Sequence, residues 1–282
     1  MATIVILGAG DTGAALARQL AATDIVSRIV LVDDMAAVAA GKALDVAQSG
    51  PVDGYTTALS GTSDVAAVVG AAVVVFADRV GPPPADWQDE AGLALVKRVA
   101  GLNQVAPLVC AGASQSSLVE RGVNELGISR TRLFGSAPEA LRSAVVTICA
   151  LEAGAAAADV SLSVLGRPPQ HVIVPWDEAA IAGRSATAVL SAAQLARLDA
   201  RVARLWPPGP YTLAAAAARV IRTAITRSPR VHTVQVAVTR DEGTPGRSAM
   251  MPVTLLPSGI ERLVEPVLSA RDRVRYETTL RQ

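Results

Sequence analysis

Cysteine is nearly absent. Cys110 and Cys149 are the full complement in 282 residues, each inside an apolar run. That is too few for a disulfide framework, and no spacing suggests metal ligands. No metal is expected, and a reducing cytoplasm is the expected compartment. Net charge is absent too, with 26 Lys+Arg against 25 Asp+Glu for a formal +1. Nucleic acid and anionic membrane surfaces both require a concentrated basic face, so neither is an expected partner. The longest apolar run, 65–77, falls short of the roughly 18 residues that suggest a membrane span. The first residues carry no basic segment and soon meet Asp11, which does not read as a signal peptide. There is no internal repeat.

What is present is apolar mass: 51% hydrophobic residues against 18% charged. Such a chain folds and buries a sizeable core. In the first half, short β-branched runs at 3–7, 29–32, 73–76, 108–110 and 133–134 read as strands. Between them, alanine-rich helical patterns fall near 13–22, 38–47, 86–102 and 116–126. This alternation is the mark of an α/β fold with a doubly wound parallel sheet, and near-continuous apolar strands fit a sheet covered on both faces. After Gly135 the pattern changes. Helices are expected at 138–152, 191–205, 213–226 and 269–280, and strands at 160–165, 171–174, 231–239 and 249–256. The breaker Trp206-Pro-Pro-Gly-Pro210 separates two of these helices. The expected division is residues 1–136, a Rossmann domain, and 137–282, an α+β domain.

The pattern Gly8-Ala-Gly10-Asp-Thr-Gly13 follows a strand and opens a helix. In that context Gly8 permits the tight turn, Gly10 lets the backbone approach a pyrophosphate, and Gly13 lets helix and strand pack closely. Helix N-terminal amides then face the phosphates. The second strand ends in Asp33-Asp34. A carboxylate there accepts ribose hydroxyls and repels a 2′-phosphate, which favours NAD over NADP. The candidate cofactor set is Gly8, Gly10, Asp11, Thr12, Gly13, Asp33 and Ala77. The alternative is a Rossmann scaffold that has lost its ligand, and Asp11 places a negative charge at the lip of the phosphate site.

Further motifs extend the pattern: Gly41-Lys-Ala-Leu-Asp45, Pro51-Val-Asp-Gly54, Gly61-Thr-Ser-Asp64, Val164-Leu-Gly166 and Tyr211-Thr-Leu-Ala-Ala-Ala. In this order they resemble the lactate/malate dehydrogenase family over nearly the whole chain. The resemblance implies NAD(H) as cofactor. It also implies hydride transfer on a 2-hydroxy acid, and subunit pairing through 38–47 and 213–226 into a homodimer or homotetramer.

The family's chemistry needs a histidine base, an aspartate that orients it, and arginines that clamp the carboxylate and polarise the carbonyl. Carried over position by position, the loop arginines fall on Pro82 and Gln88 and the turn asparagine on Ala111. The helix aspartate and arginine fall on Leu141 and Ala144, and the histidine on Pro168 or Pro169. No catalytic residue is assigned. The chargeable residues nearby are Arg79, Arg142, Arg167 and His171; His171 reads as a strand-end histidine, with a re-sited catalytic base as the alternative, Arg79 reads as a solvated loop residue, and the other histidine, His232, reads as structural. Arg142 lies one residue from the expected aspartate, on another helix face. Pro82-Pro83-Pro84 should stiffen the loop. The expected function is therefore an NAD(H)-binding homologue without lactate or malate turnover, a pseudoenzyme. The alternative is an active NAD-dependent oxidoreductase acting on a different hydroxy or oxo substrate.

Overall fold

The computed structural model describes residues 2–82, 85–238 and 247–281. Chain order begins β1 (Thr3–Leu7), α1 (Asp11–Ala21), β2 (Arg28–Val32), α2 (Ala36–Asp53), β3 (Ala58–Thr62) and β4 (Val73–Phe76). It continues α3 (Asp89–Leu102), β5 (Leu108–Cys110), α4 (Ser116–Asn124), β6 (Leu133–Gly135) and α5 (Ala137–Ala153). Then come β7 (Val160–Ser161), β8 (Leu165–Arg167), β9 (His171–Ile173), β10 (Ala180–Ile181), β11 (Arg184–Ser185), α6 (Ala186–Val189) and α7 (Ala192–Val202). The chain closes with α8 (Pro210–Thr226), β12 (His232–Ala237), β13 (Ser248–Leu256), β14 (Gly259–Leu263) and α9 (Ala270–Arg281).

The first six strands lie in the order β3-β2-β1-β4-β5-β6, all parallel. This is the Rossmann order, with its reversal between β1 and β4. Strand residues alternate between two cores. Ile4, Ile6, Ile29, Leu31, Val73 and Val75 pack with α1, α2 and α8 on one face. Val5, Leu7, Val30, Val32, Val74 and Phe76 pack with α3 and α4 on the other. Both faces are dry, which is why these strands read as unbroken apolar runs. The sheet then continues antiparallel through β12, β13, β8 and β9, joined to the first half where Gln235 pairs with Gly135. A separate core under α5 gathers Leu141, Val145, Ile148, Val164, Trp176 and Met250.

The differences from the sequence expectations have local causes. Helix α2 runs six residues past Ala47 because Pro51 sits in its last turn, where its missing amide costs one hydrogen bond; Gly54, at φ 82°, ends the helix. Helix α8 starts at Pro210 rather than 213, with proline at the first helical position, where no amide is needed. The run 160–165 splits into β7 and β8. Strands β3 and β14 have weak apolar patterns and were not foreseen. Thr239, the end of an expected strand, and Pro83-Pro84 lie outside the described residues.

Candidate functional site

The strand order reverses at the C-terminal ends of β1 and β4, and the glycine loop lies there. Gly8 has φ +113°, and a Cβ on it would stand 2.3 Å from Asp78 O. A Cβ on Gly13 would stand 2.1 Å from Gly8 O. Both positions therefore need glycine, one for conformation and one for helix–strand contact. Thr12, Gly13 and Ala77 are buried, and Asp11 is exposed in the first turn of α1.

The amides of this helix N-terminus already have an anionic partner. Asp78 Oδ2 accepts from Thr12 N at 3.1 Å and Oδ1 from Gly13 N at 2.9 Å. Asp78 O also accepts from Gly10 N at 2.8 Å. A Cβ on Gly10 would meet the Asp78 carboxyl carbon at 2.5 Å, so the space that this glycine clears is filled by that side chain. A carboxylate at the positive end of a helix is favourable on its own account. Sequence reasoning passed over Asp78; the signal was an acid two residues past the end of β4.

Asp33 is similarly engaged. It is 3% exposed. Its Oδ2 accepts from Ala9 N at 2.9 Å and Val80 N at 3.0 Å, and Oδ1 from Met35 N at 3.1 Å. Three of about four lone-pair sites on a carboxylate are thus used. Asp34 beside it is exposed. An apolar cavity of about 290 Å³ opens here, lined by Val32, Asp34, Val65, Leu95 and Arg98.

Asp86 and Trp87 lie against the strand ends. Trp87 Nε1 donates to Leu7 O at 3.2 Å, and Asp86 accepts from Ser114 N at 3.3 Å and from the Ser114 hydroxyl. Arg79 is not a solvated loop residue: its guanidinium stacks 4.8 Å from the Trp87 ring centroid. The aromatic face and the cation attract, and the stack withdraws the charge from water.

The cleft between the two halves has little room. Cys110, Gly112, Gln115, Pro138, Trp206 and Gln235 line a cavity of about 10 Å³, room for about one water. Ala137 and Ala140 pack directly on Leu213 and Ala216, with Trp206 alongside. Ala111 and Leu141 are fully buried in apolar surroundings. Pro82 and Pro169 are exposed, and Gln88, Ala144 and Pro168 are half-buried. His171 is exposed at the start of β9, as its position at a strand end suggested.

The structure does assemble one acid–histidine pair, elsewhere. Glu139 and His232 are 2% and 1% exposed. Glu139 Oε1 lies 2.7 Å from Arg142 Nη2, 3.4 Å from His232 Nδ1 and 3.9 Å from Arg219 Nε. Glu139 Oε2 accepts from Thr233 N at 3.2 Å, and His232 Nε2 shares a hydrogen bond with Thr223 Oγ1 at 2.8 Å. Burial pushes the Glu139 carboxyl up, but contact with His232 and then Arg142, and their charges, more than offset it and hold it at about 2. The pair ties α5, α8 and β12 together and is closed to solvent. His232 thus has an acidic neighbour that the sequence, with none nearby in the chain, could not show.

Fold and crevice define a Rossmann-type α/β protein whose parallel sheet is extended by an antiparallel second half. No family profile matches the chain. It is 28% identical over 296 residues to a malate dehydrogenase of Thioalkalivibrio sulfidiphilus, covering 99% of this chain and 96% of that one. It is 27% identical over 298 residues to a malate dehydrogenase of Desulforudis audaxviator, covering 98% and 94%. Among solved structures, a lactate dehydrogenase of Cryptosporidium parvum, complexed with lactic acid and nicotinamide adenine dinucleotide, superposes with TM-score 0.86 at 20% identity, covering 99% and 95%. The malate dehydrogenase of Aeropyrum pernix superposes with TM-score 0.85 at 18% identity, covering 99% and 95%. Over nearly its whole length the chain is similar in sequence to malate dehydrogenases, and it shares the fold of lactate and malate dehydrogenases.

Proposed function

We propose that this protein is an NAD(H)-binding homologue of the lactate and malate dehydrogenases that turns over neither lactate nor malate. The observation that carries the second clause is the cleft between the halves. The positions on which the family's turn asparagine and its helix aspartate and arginine fall are Ala111, Leu141 and Ala144, and the cavity between the halves measures about 10 Å³. A 2-hydroxy acid has neither room nor a charged partner there. Loss of a general base forfeits about 10²–10⁴ in rate, and loss of oxyanion stabilisation about 10²–10³. These groups act together, so the factors do not multiply, but either alone suppresses turnover.

The first clause rests on the crevice, which fits the cofactor at one end. The glycine loop is in place, and the apolar cavity of about 290 Å³ beside Asp34 suits a planar base with its ribose near an acid. Asp33 and Asp34 favour NADH over NADPH by repelling a 2′-phosphate, and Asp33 contributes through charge more than through free acceptor sites. At the other end the fit fails as the chain stands, because Asp78 holds the amides that a diphosphate needs. The set Gly8, Gly10, Asp11, Thr12, Gly13, Asp33 and Ala77 remains the proposed lining. A homodimer or homotetramer belongs to the same proposal. Leu44 and Val52 on α2 are 59% and 87% exposed, whereas the apolar face of α8 is already used inside the chain against α1 and α5. Light scattering at micromolar concentration tests the assembly, and a monomer would remove that clause.

NADH absorbance, followed with pyruvate, lactate, oxaloacetate and malate in turn, tests the reading. No turnover is expected. A rate of about 1 s⁻¹ or more on any of them, the low end of ordinary enzymes, would overturn it. Equal affinity for NADH and NADPH would remove the acidic-strand-end argument.

A further inference from the structure

We infer that Asp78 is a tethered competitor for the diphosphate part of the cofactor site, so that nucleotide binding is conditional on this side chain leaving the N-terminus of α1. The inference rests on the proposed cofactor reading and concerns the regulation of that same site.

Three observations converge. The Asp78 carboxylate makes two amide bonds, at 3.1 and 2.9 Å, to Thr12 and Gly13. Those amides open the helix that follows the glycine pattern, so they are the donors a diphosphate would use. The carboxyl carbon also occupies the space in front of Gly10, where even one added carbon would stand 2.5 Å away. A diphosphate and the carboxylate cannot share that volume, and their like charges would repel across it. Lastly, the neighbouring cavity beside Asp34 is open at about 290 Å³. The crevice is therefore blocked at the anionic end and open at the apolar end. A collapsed, ligand-free scaffold would have closed both.

The obstruction is a side chain and not the main chain. Asp78 is only half-buried, and rotation about its own bonds would take the carboxylate towards water. Its backbone can stay in place, since Gly10 N donates to Asp78 O independently of the carboxylate. Apparent affinity then falls in proportion to the fraction of molecules in which the seat is open. Ligands without a diphosphate escape that factor. The unaltered protein should accordingly discriminate against the diphosphate while still admitting adenosine.

The test compares the unaltered chain with Asp78→Ala and Asp78→Asn, titrating NADH by fluorescence and adenosine and inorganic pyrophosphate by calorimetry. Asp78→Ala should bind NADH at least tenfold more tightly and gain measurable pyrophosphate binding, with adenosine affinity unchanged within twofold. Asp78→Asn keeps the shape and an acceptor for one of the two amides, turns an NH2 towards the other and loses the charge, so it guards against loss of fold and should show an intermediate gain. If the three proteins bind NADH with equal, measurable affinity, the competitor role is wrong and the cofactor reading stands. If none binds NADH or adenosine, the cofactor reading fails and this inference falls with it. A lower melting temperature for Asp78→Ala without any gain in affinity would make Asp78 a helix cap only and would also overturn the proposal.

Discussion

At the crevice beside β1, every glycine of the pattern is in place and the space is filled by a neighbouring carboxylate. At the cleft between the halves, the positions matched by resemblance are the apolar Ala111, Leu141 and Ala144, and the cavity measures about 10 Å³. On the proposed reading, the two regions depart from a working dehydrogenase in different ways. The first departure is held by one half-buried side chain with two amide bonds, and a rotation undoes it. The second is held by packed apolar side chains, and close-packed interiors do not reopen for one substitution. A filled site can be conditional; an overpacked one is closed.

The largest expected effect breaks the second half of that comparison. Leu141→Asp places an acid at the position on α5 to which the resemblance assigns the family's aspartate. Leu141 is fully buried among Val145, Val164 and Met250, so the new carboxylate has no partner. Destabilisation of about 4–5 kcal/mol or more is expected from an unpaired buried charge together with lost packing. Urea melts read it directly, and a loss under about 1 kcal/mol would mean that the cleft is far looser than its packing indicates.

Glu139→Gln comes next. It removes the charge that faces Arg142 and His232 in a dry setting, and breaking a buried pair costs about 3–5 kcal/mol. The pH dependence has a definite sign. The carboxyl is lowered from an ordinary 4.5 to about 2 in the folded chain. Its contribution is therefore fully present above about 4.5 and is lost as pH falls towards 2. The unaltered protein should lose stability through that acid window, and the Gln variant should show a flatter acid limb. Identical acid limbs would mean that the network contributes nothing.

Asp33→Ala sharpens the first half. On the sequence it is a specificity change. In the fold it orphans the amides of Ala9, Met35 and Val80, and a stability loss of about 2–3 kcal/mol should accompany any change in NADH preference. A clean specificity change with unaltered melting would show that those bonds are dispensable. The smallest effect is at His171. It is exposed at a strand end, so His171→Ala should change stability by under about 0.5 kcal/mol and leave any residual turnover as it was. A loss of turnover would identify His171 as a base in a new position.

The sequence by itself determined the class of fold. Short unbroken apolar runs that alternate with helical patterns, and glycines spaced to close one strand–helix turn, are local requirements, and they survive without knowledge of any distant contact. It also determined what Ala111, Leu141, Ala144 and Pro168 are unable to do, because an alanine, leucine or proline side chain cannot donate or accept a proton wherever the chain places it. It could not say that Asp78 lies on the amides of Thr12 and Gly13, 66 and 65 residues away in the chain. Nor could it say that Glu139 meets His232 across 93 residues of chain or that Arg79 stacks on Trp87. Such pairs are set by where the sheet order and helix packing bring separate segments together. Asp78 reads as a loop acid until β4 is laid beside β1, because only that adjacency turns its carboxylate towards the positive end of α1.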